Sequence, residues 1–243
     1  MSESIVLIGL PGSGKKRFQR VFRQAYPQAK MALFPFGEES EIENPGWLKA
    51  QVWCVIDVRS PLLSASAELH LKALIQQSTA VVLSFVASAD LSAQVFWQDW
   101  LKKNDRNRLP RKRWQGLDRV DAEAWLSLSE PISLTSLNTF WQQLKPLKQL
   151  SIALGDLSAS KPFYLEHLMM VLDAARNNLA MDIWRVQGCL LTHEYAHAVA
   201  IEMTASRCDF FAADTQIEQA YLEVLGCHFD QAWLQQAIEA SQL

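Results

Sequence analysis

Eight consecutive residues constrain this chain more than anything else in it: Gly9-Leu10-Pro11-Gly12-Ser13-Gly14-Lys15-Lys16. They follow the apolar run SIVLI at 4–8 and precede a stretch where Phe18, Val21, Phe22 and Ala25 recur at helical spacing. The first seven positions satisfy GxxxxGK. Between a strand and a helix, such a loop curls so that successive backbone N–H groups point at phosphate oxygens, assisted by the helix N-terminus. Gly9, Gly12, Ser13, Gly14, Lys15 and Lys16 are therefore the nucleotide-binding candidates, with Lys15 placed to reach the β and γ phosphates.

The eighth position departs from the pattern. A Ser or Thr hydroxyl belongs there to bind Mg²⁺, whereas a protonated Lys16 has no acceptor and repels a divalent cation. Binding without turnover is the expectation, with GTP or ATP as the ligand and Mg²⁺ in doubt. Asp57 ends the apolar run VWCVIDV at 52–58. An acid leaving a second buried strand is where a Mg²⁺-organising carboxylate sits, so Asp57 joins Lys15 as a catalytic candidate, beside the plainer reading of a strand-end cap. A guanine-reading Asn/Thr-Lys-x-Asp segment is absent after the third apolar run: 80–91 reads AVVLSFVASADL, with Asp90 its one acid.

Apolar runs at 4–8, 52–58 and 80–86 do not alternate in polarity and are separated by helical patterns at 18–25, 68–77 and 87–100. That arrangement predicts a parallel sheet covered on both faces. Helical spacing recurs at 137–147. The Gly, Ser and Pro of 155–162 (GDLSASKP) mark a boundary, giving a P-loop nucleotide-binding domain over 1–155 and a small α+β domain over 156–243. In the second part 164–175 reads as a helix, 183–191 and 198–205 as strands around a polar turn, and 217–225 and 230–238 as helices. The fold class is thus α/β with an α+β appendage. At 243 residues, one large domain with a smaller companion suits the usual domain size of about 150 residues.

The C-terminal part carries a family resemblance. Lys161-Pro162-Phe163, a helix running to Leu172-Asp173, and then Trp184-Arg185-Val186-Gln187-Gly188 are similar to the small C-terminal domain of CobW-like P-loop GTPases, where an Arg-x-Lys-Gly strand follows a helix. The likeness covers 5–25, 52–91 and 161–205. Gln187 stands where the family has Lys. The resemblance implies a fold in which nucleotide hydrolysis gates transfer of a metal ion, usually zinc or cobalt, held by a Cys-x-Cys-Cys element between the P-loop and the second strand. This chain has no cysteine between Lys30 and Val52, and its segment 34–46 is short relative to the family. A divergent nucleotide-binding member with weak or absent hydrolysis is what the resemblance implies. The alternative is an inactive regulatory or protein-interaction module that keeps the fold.

A third possibility rests on His193-Glu194-Tyr195-Ala196-His197, which matches HExxH. On a helix, the two histidines would share a zinc ion and the glutamate would act as base in a hydrolase. The flanks VQGCLL and AVAIEMTA read as strands, which makes the segment a hairpin turn. Cys189, His193 and His197 remain weak metal candidates, and zinc is not the expected cofactor.

Composition excludes several classes. With 49% apolar residues the chain is no disordered or low-complexity polymer, and four scattered cysteines make no disulfide framework. No apolar stretch approaches membrane-spanning length and no secretory leader is evident, so a cytoplasmic location without a membrane partner is expected. A net charge of -3 does not draw the whole protein to nucleic acid. The basic segment 102–113, KKNDRNRLPRKR, is the exception: it suits an anionic or protein partner, or a solvated loop. Trp97, Trp100, Trp141 and Trp233 fall on helical apolar stripes, while Trp47 is expected at the surface.

Overall fold

The structure is a computed structural model that describes residues 4–34, 47–62, 64–105, 108–115, 123–135, 147–214 and 216–242. The chain divides into two compact units, Met1–Lys145 and Pro146–Leu243.

The first unit contains β1 (Ser4–Ile8), α1 (Lys15–Ala25), β2 (Lys30–Leu33), β3 (Lys49–Asp57), α2 (Ala65–Gln76), β4 (Ala80–Ser84), α3 (Leu91–Asn104), β5 (Arg111–Arg113), α4 (Glu123–Leu126) and β6 (Ile132–Ser133). The strands pair in the order β2-β1-β3-β4-β5, all parallel, while β6 runs antiparallel against β3. Side chains alternate between two cores because successive residues of a strand face opposite ways. Ile5, Leu7, Trp53 and Val55 pack with Phe18, Val21 and Phe22 of α1. Val6, Ile8, Val52, Cys54 and Ile56 pack with Leu71 and Leu74 of α2 and Trp97 and Leu101 of α3. A sheet buried on both faces explains why its strands read as unbroken apolar runs.

The α1-side core is aromatic. Phe18 lies 5.2 Å, ring centre to ring centre, from both Trp114 and Trp125, and Phe22 meets Trp53 edge-on at 5.6 Å. Trp97 and Trp100 are buried, Trp233 is half-buried, and Trp47 is half-buried against the opposite core rather than at the surface as expected.

The order of the parallel strands reverses between β1 and β3. In doubly wound sheets the crevice outside the carboxyl ends of two such strands is where ligands bind. The loop at 9–16 leaves the end of β1 and Asp57 closes β3, so the topology sets both at that crevice.

The second unit comprises β7 (Lys148–Asp156), α5 (Leu165–Asn177), β8 (Asp182–Leu190), β9 (Val199–Thr204), β10 (Cys208–Ala212), β11 (Gln219–His228) and α6 (Gln231–Glu239). Its sheet is antiparallel in the order β10-β9-β8-β11-β7. Ile152, Val186, Ile201, Leu222 and Val224 turn one face towards Leu168 and Leu172 of α5 and Leu234 and Ile238 of α6.

Several expectations change here. The stretch 217–225 is not helical. It belongs to β11, a central strand in which Ala220, Leu222 and Val224 are buried between Tyr221 and Glu223, which are less so. The alternation of period two outweighs the apolar spacing that suggested a helix. β7, which precedes the Gly- and Ser-rich stretch at 155–162, pairs with β11. The strands β2, β5, β6, β7 and β10 had no counterpart in the sequence reading. The expected helix at 137–147 and the shortened segment 34–46 fall almost wholly outside the described residues, as does Trp141.

The basic segment 102–113 is not one solvated loop. Lys102 and Lys103 occupy the last turn of α3, where cations complement the helix dipole. Asp105 is buried and accepts hydrogen bonds from Leu109 N at 3.1 Å and from Arg111 at 2.8 Å. Arg111, Lys112 and Arg113 form β5 at the end of the sheet order. Charge on an edge strand opposes pairing with other chains.

Candidate functional site

The loop at 9–16 adopts a conformation that glycine makes accessible. Gly9, Gly12 and Gly14 have φ of 145°, 80° and 85°. At Gly9 a Cβ would lie 2.3 Å from the Val55 carbonyl oxygen, so β3 approaches the loop as closely as a bare backbone permits. Gly14 precedes α1 and supplies no side-chain cap.

Lys15 folds back over this loop. Its Nζ donates to Gly9 O at 2.6 Å, Leu10 O at 2.9 Å and Ser13 Oγ at 3.3 Å. Ser84, fully buried at the end of β4, donates to Ser13 O at 3.0 Å and Ile56 O at 2.9 Å, tying the loop to β3. Beneath it, Cys54 is completely buried, and desolvation pushes its thiol up to about 12, against a smaller lowering by the charge of Lys15. Such a thiol is packing, not a nucleophile. Lys16 and Arg17 are exposed on the first turn of α1.

Asp57 is where the sequence reading expects it, at the end of β3 beside the loop, but its carboxylate is engaged. Arg59 Nε lies 2.9 Å from Oδ1 and Nη2 2.7 Å from Oδ2. Arg59 N also donates to Oδ1 at 3.0 Å, which closes a tight turn. The guanidinium lies 3.7 Å from the centre of the Phe85 ring. Phe85, in turn, stands over Gly14 and has a left-handed backbone with φ of 59°. Arg59 and Phe85 are the site residues that sequence reasoning missed. An Asp-x-Arg leaving a strand was the signal for the first, and no sequence pattern marked the second.

The HExxH segment is a turn. It joins β8 to β9, and its residues 193–197 are exposed. Glu194 does not face a metal: its carboxylate accepts from Leu165 N at 2.7 Å and caps the N-terminus of α5. His193 stacks on Tyr164 with ring centres 4.1 Å apart. Cys189 is buried within β8. Among the described residues, no three His, Cys, Asp or Glu side chains are grouped to hold a metal ion.

Residues 155–242 match the cobalamin synthesis protein cobW C-terminal domain. The match falls within the second unit and takes in most of it. The first unit is a parallel sheet with helices packed on both of its faces. On β8, Gln187 donates to the carboxylate of Glu223, while Arg185 pairs with Glu202 at 2.9 Å. At Gly188 of the same strand a Cβ would meet Tyr221 O at 2.5 Å, which explains the glycine.

Among solved structures, the chain is similar to the Zn(II)-bound YjiA GTPase from E. coli, with 9% identity, a TM-score of 0.35 and coverage of 100% of both chains. It is also similar to a Zn(II)-bound triple mutant of YjiA GTPase, with 8% identity and a TM-score of 0.35, covering 100% of this chain and 91% of that one. No curated protein sequence matches the chain. Among the described residues, no helix is long and apolar enough to cross a membrane.

Proposed function

We propose that the first unit binds a nucleoside triphosphate through the loop at 9–16 and hydrolyses it weakly or not at all. The observation that carries this reading is the loop itself, with glycines at positive φ leading into the N-terminus of α1 and Lys15 folded over the loop. On ligand entry Lys15 Nζ would exchange its carbonyl partners for phosphate oxygens, a move that needs only side-chain rotation. The resemblance to CobW-like GTPases favours GTP over ATP and a role connected with metal homeostasis.

Calorimetric titration with GTP and with ATP tests the reading. Micromolar binding that Lys15→Ala abolishes supports it; unchanged affinity in that variant removes the loop from the site.

A second reading has an observation of its own. The Lys15 ammonium already has its donors satisfied by Gly9 and Leu10 carbonyls, and Asp57 by Arg59. A loop closed on itself suits a regulatory or interaction module that has kept the fold and lost the ligand. Failure of a folded protein to bind either nucleotide would select this alternative.

A further inference from the structure

The fold implies a Mg²⁺ ion beside the bound phosphates, and the residues present do not fit one. Position 16, where a hydroxyl would ligate, carries Lys16, which has donors only. Asp57, the carboxylate that would organise the ion, has each oxygen in a charge-assisted hydrogen bond to Arg59. That pair is half sequestered, with the Asp57 side chain 4% and the Arg59 side chain 21% exposed. The bidentate fork holds more firmly than a single contact. The guanidinium is further fixed by the face of Phe85, which also receives Arg17 at 5.6 Å.

These contacts form one continuous unit. Asp57 holds Arg59, Arg59 lies on Phe85, and the Phe85 edge abuts Gly14 at the start of α1. The Arg59 guanidinium is thereby carried to the flank of the phosphate loop by packing, not by a ligand. Lys15, Lys16 and Arg17 add three cations within one turn of α1, while the Asp57 carboxylate is engaged by Arg59.

We propose that this site takes its nucleoside polyphosphate free of any divalent cation, with Arg59 supplying the positive charge at the loop's flank that a metal ion would otherwise supply. This rests on the nucleotide-binding reading above and narrows it: the ligand is the metal-free polyphosphate anion. Fixed cations stabilise phosphate charge directly, and the Lys16 ammonium, in the place of a ligating hydroxyl, repels a divalent ion.

The test is titration of the wild-type protein with GTP, ATP and inorganic tripolyphosphate, each in EDTA and in millimolar MgCl₂. The expected result is binding in EDTA that Mg²⁺ leaves unchanged or weakens. Arg59→Ala should lower affinity in EDTA by about tenfold or more, the loss of one charge-assisted contact. Lys16→Ser combined with Arg59→Ala should make binding Mg²⁺-dependent, because a hydroxyl is restored and Asp57 is released. Arg59→Lys, which keeps the charge but loses the fork, covers the case in which the alanine variant does not fold. Binding by the wild type only when Mg²⁺ is present overturns the metal-free proposal and leaves nucleotide binding standing. No binding of any probe in either buffer overturns the nucleotide reading, and this one with it.

Discussion

Phe85 closes on Gly14 so tightly that a Cβ at position 14 would lie 2.6 Å from Phe85 Cε2. The two residues couple the end of β4 to the start of α1, and the coupling is measurable. Gly14→Ala meets both this ring and a positive φ of 85°. Destabilisation of about 2–3 kcal/mol is expected from crowding and left-handed strain together. Phe85→Ala in the same chain should recover part of it, leaving a non-zero coupling in a double-mutant cycle by urea unfolding. Additive losses would mean that the ring and the loop do not touch.

Gly9→Ala should be the more severe change. Its obstacle is the Val55 carbonyl at 2.3 Å, which belongs to the central strand and cannot swing aside as a ring can. A loss above about 3 kcal/mol is expected, in the range reserved for core disruption. No single side-chain truncation should relieve it. Thermal or denaturant unfolding of the variant beside Gly14→Ala gives the comparison.

Glu194 is a structural acceptor for α5. Glu194→Ala removes the acceptor of Leu165 N and should destabilise by about 1 kcal/mol, the usual scale of a lost helix cap. His193→Ala and His197→Ala should leave the metal content of the purified protein unchanged in elemental analysis. A stoichiometric zinc ion that either histidine variant loses would return the segment to the list of metal sites.

Cys54 gives a pH dependence of definite sign. Its thiol is raised from 9.0 to about 12 by burial, so above pH 9 the folded state holds a proton that the unfolded chain gives up. Stability contributed by keeping this thiol neutral is therefore complete below pH 9 and declines up to pH 12, by about 1.4 kcal/mol per pH unit. Cys54→Val should flatten the alkaline limb of a stability–pH curve relative to the parent chain. The same burial should make Cys54 unreactive to iodoacetamide at pH 8 until the protein unfolds, as mass spectrometry of the labelled chain would report.

Much of the first unit was legible because its signals are local. Val52–Asp57 is an unbroken apolar run since both faces of β3 are covered, and the loop at 9–16 announces itself through three glycines and a lysine. The turn at 191–198 was legible for the same reason, since strand-like flanks outweighed the HExxH spacing. The strand β11 was not. Ile217, Leu222 and Leu225 also fit a helical stripe, and only pairing with β7 and β8 on its two sides decides the matter. Likewise β5 reads as a charged loop, because RKR has no apolar residue to mark it and its place depends on β4.

The sequence by itself determined where the chain makes its glycine-rich turn from β1 into α1. Glycine at 9 and 14 and lysine at 15 act within a few residues of one another, and the positive φ that the glycines permit is a local property. It also determined that the side chain at position 16 offers no oxygen to a metal. What only the tertiary structure decided is the electrostatic state of the crevice. Asp57 and Arg59 stand two residues apart in the chain, yet nothing in that spacing says that the guanidinium would turn onto the carboxylate. Phe85, brought in from the end of β4, supplies the face against which Arg59 lies. A charge whose partner is fixed by a ring from another strand is set by packing, and packing is written in three dimensions.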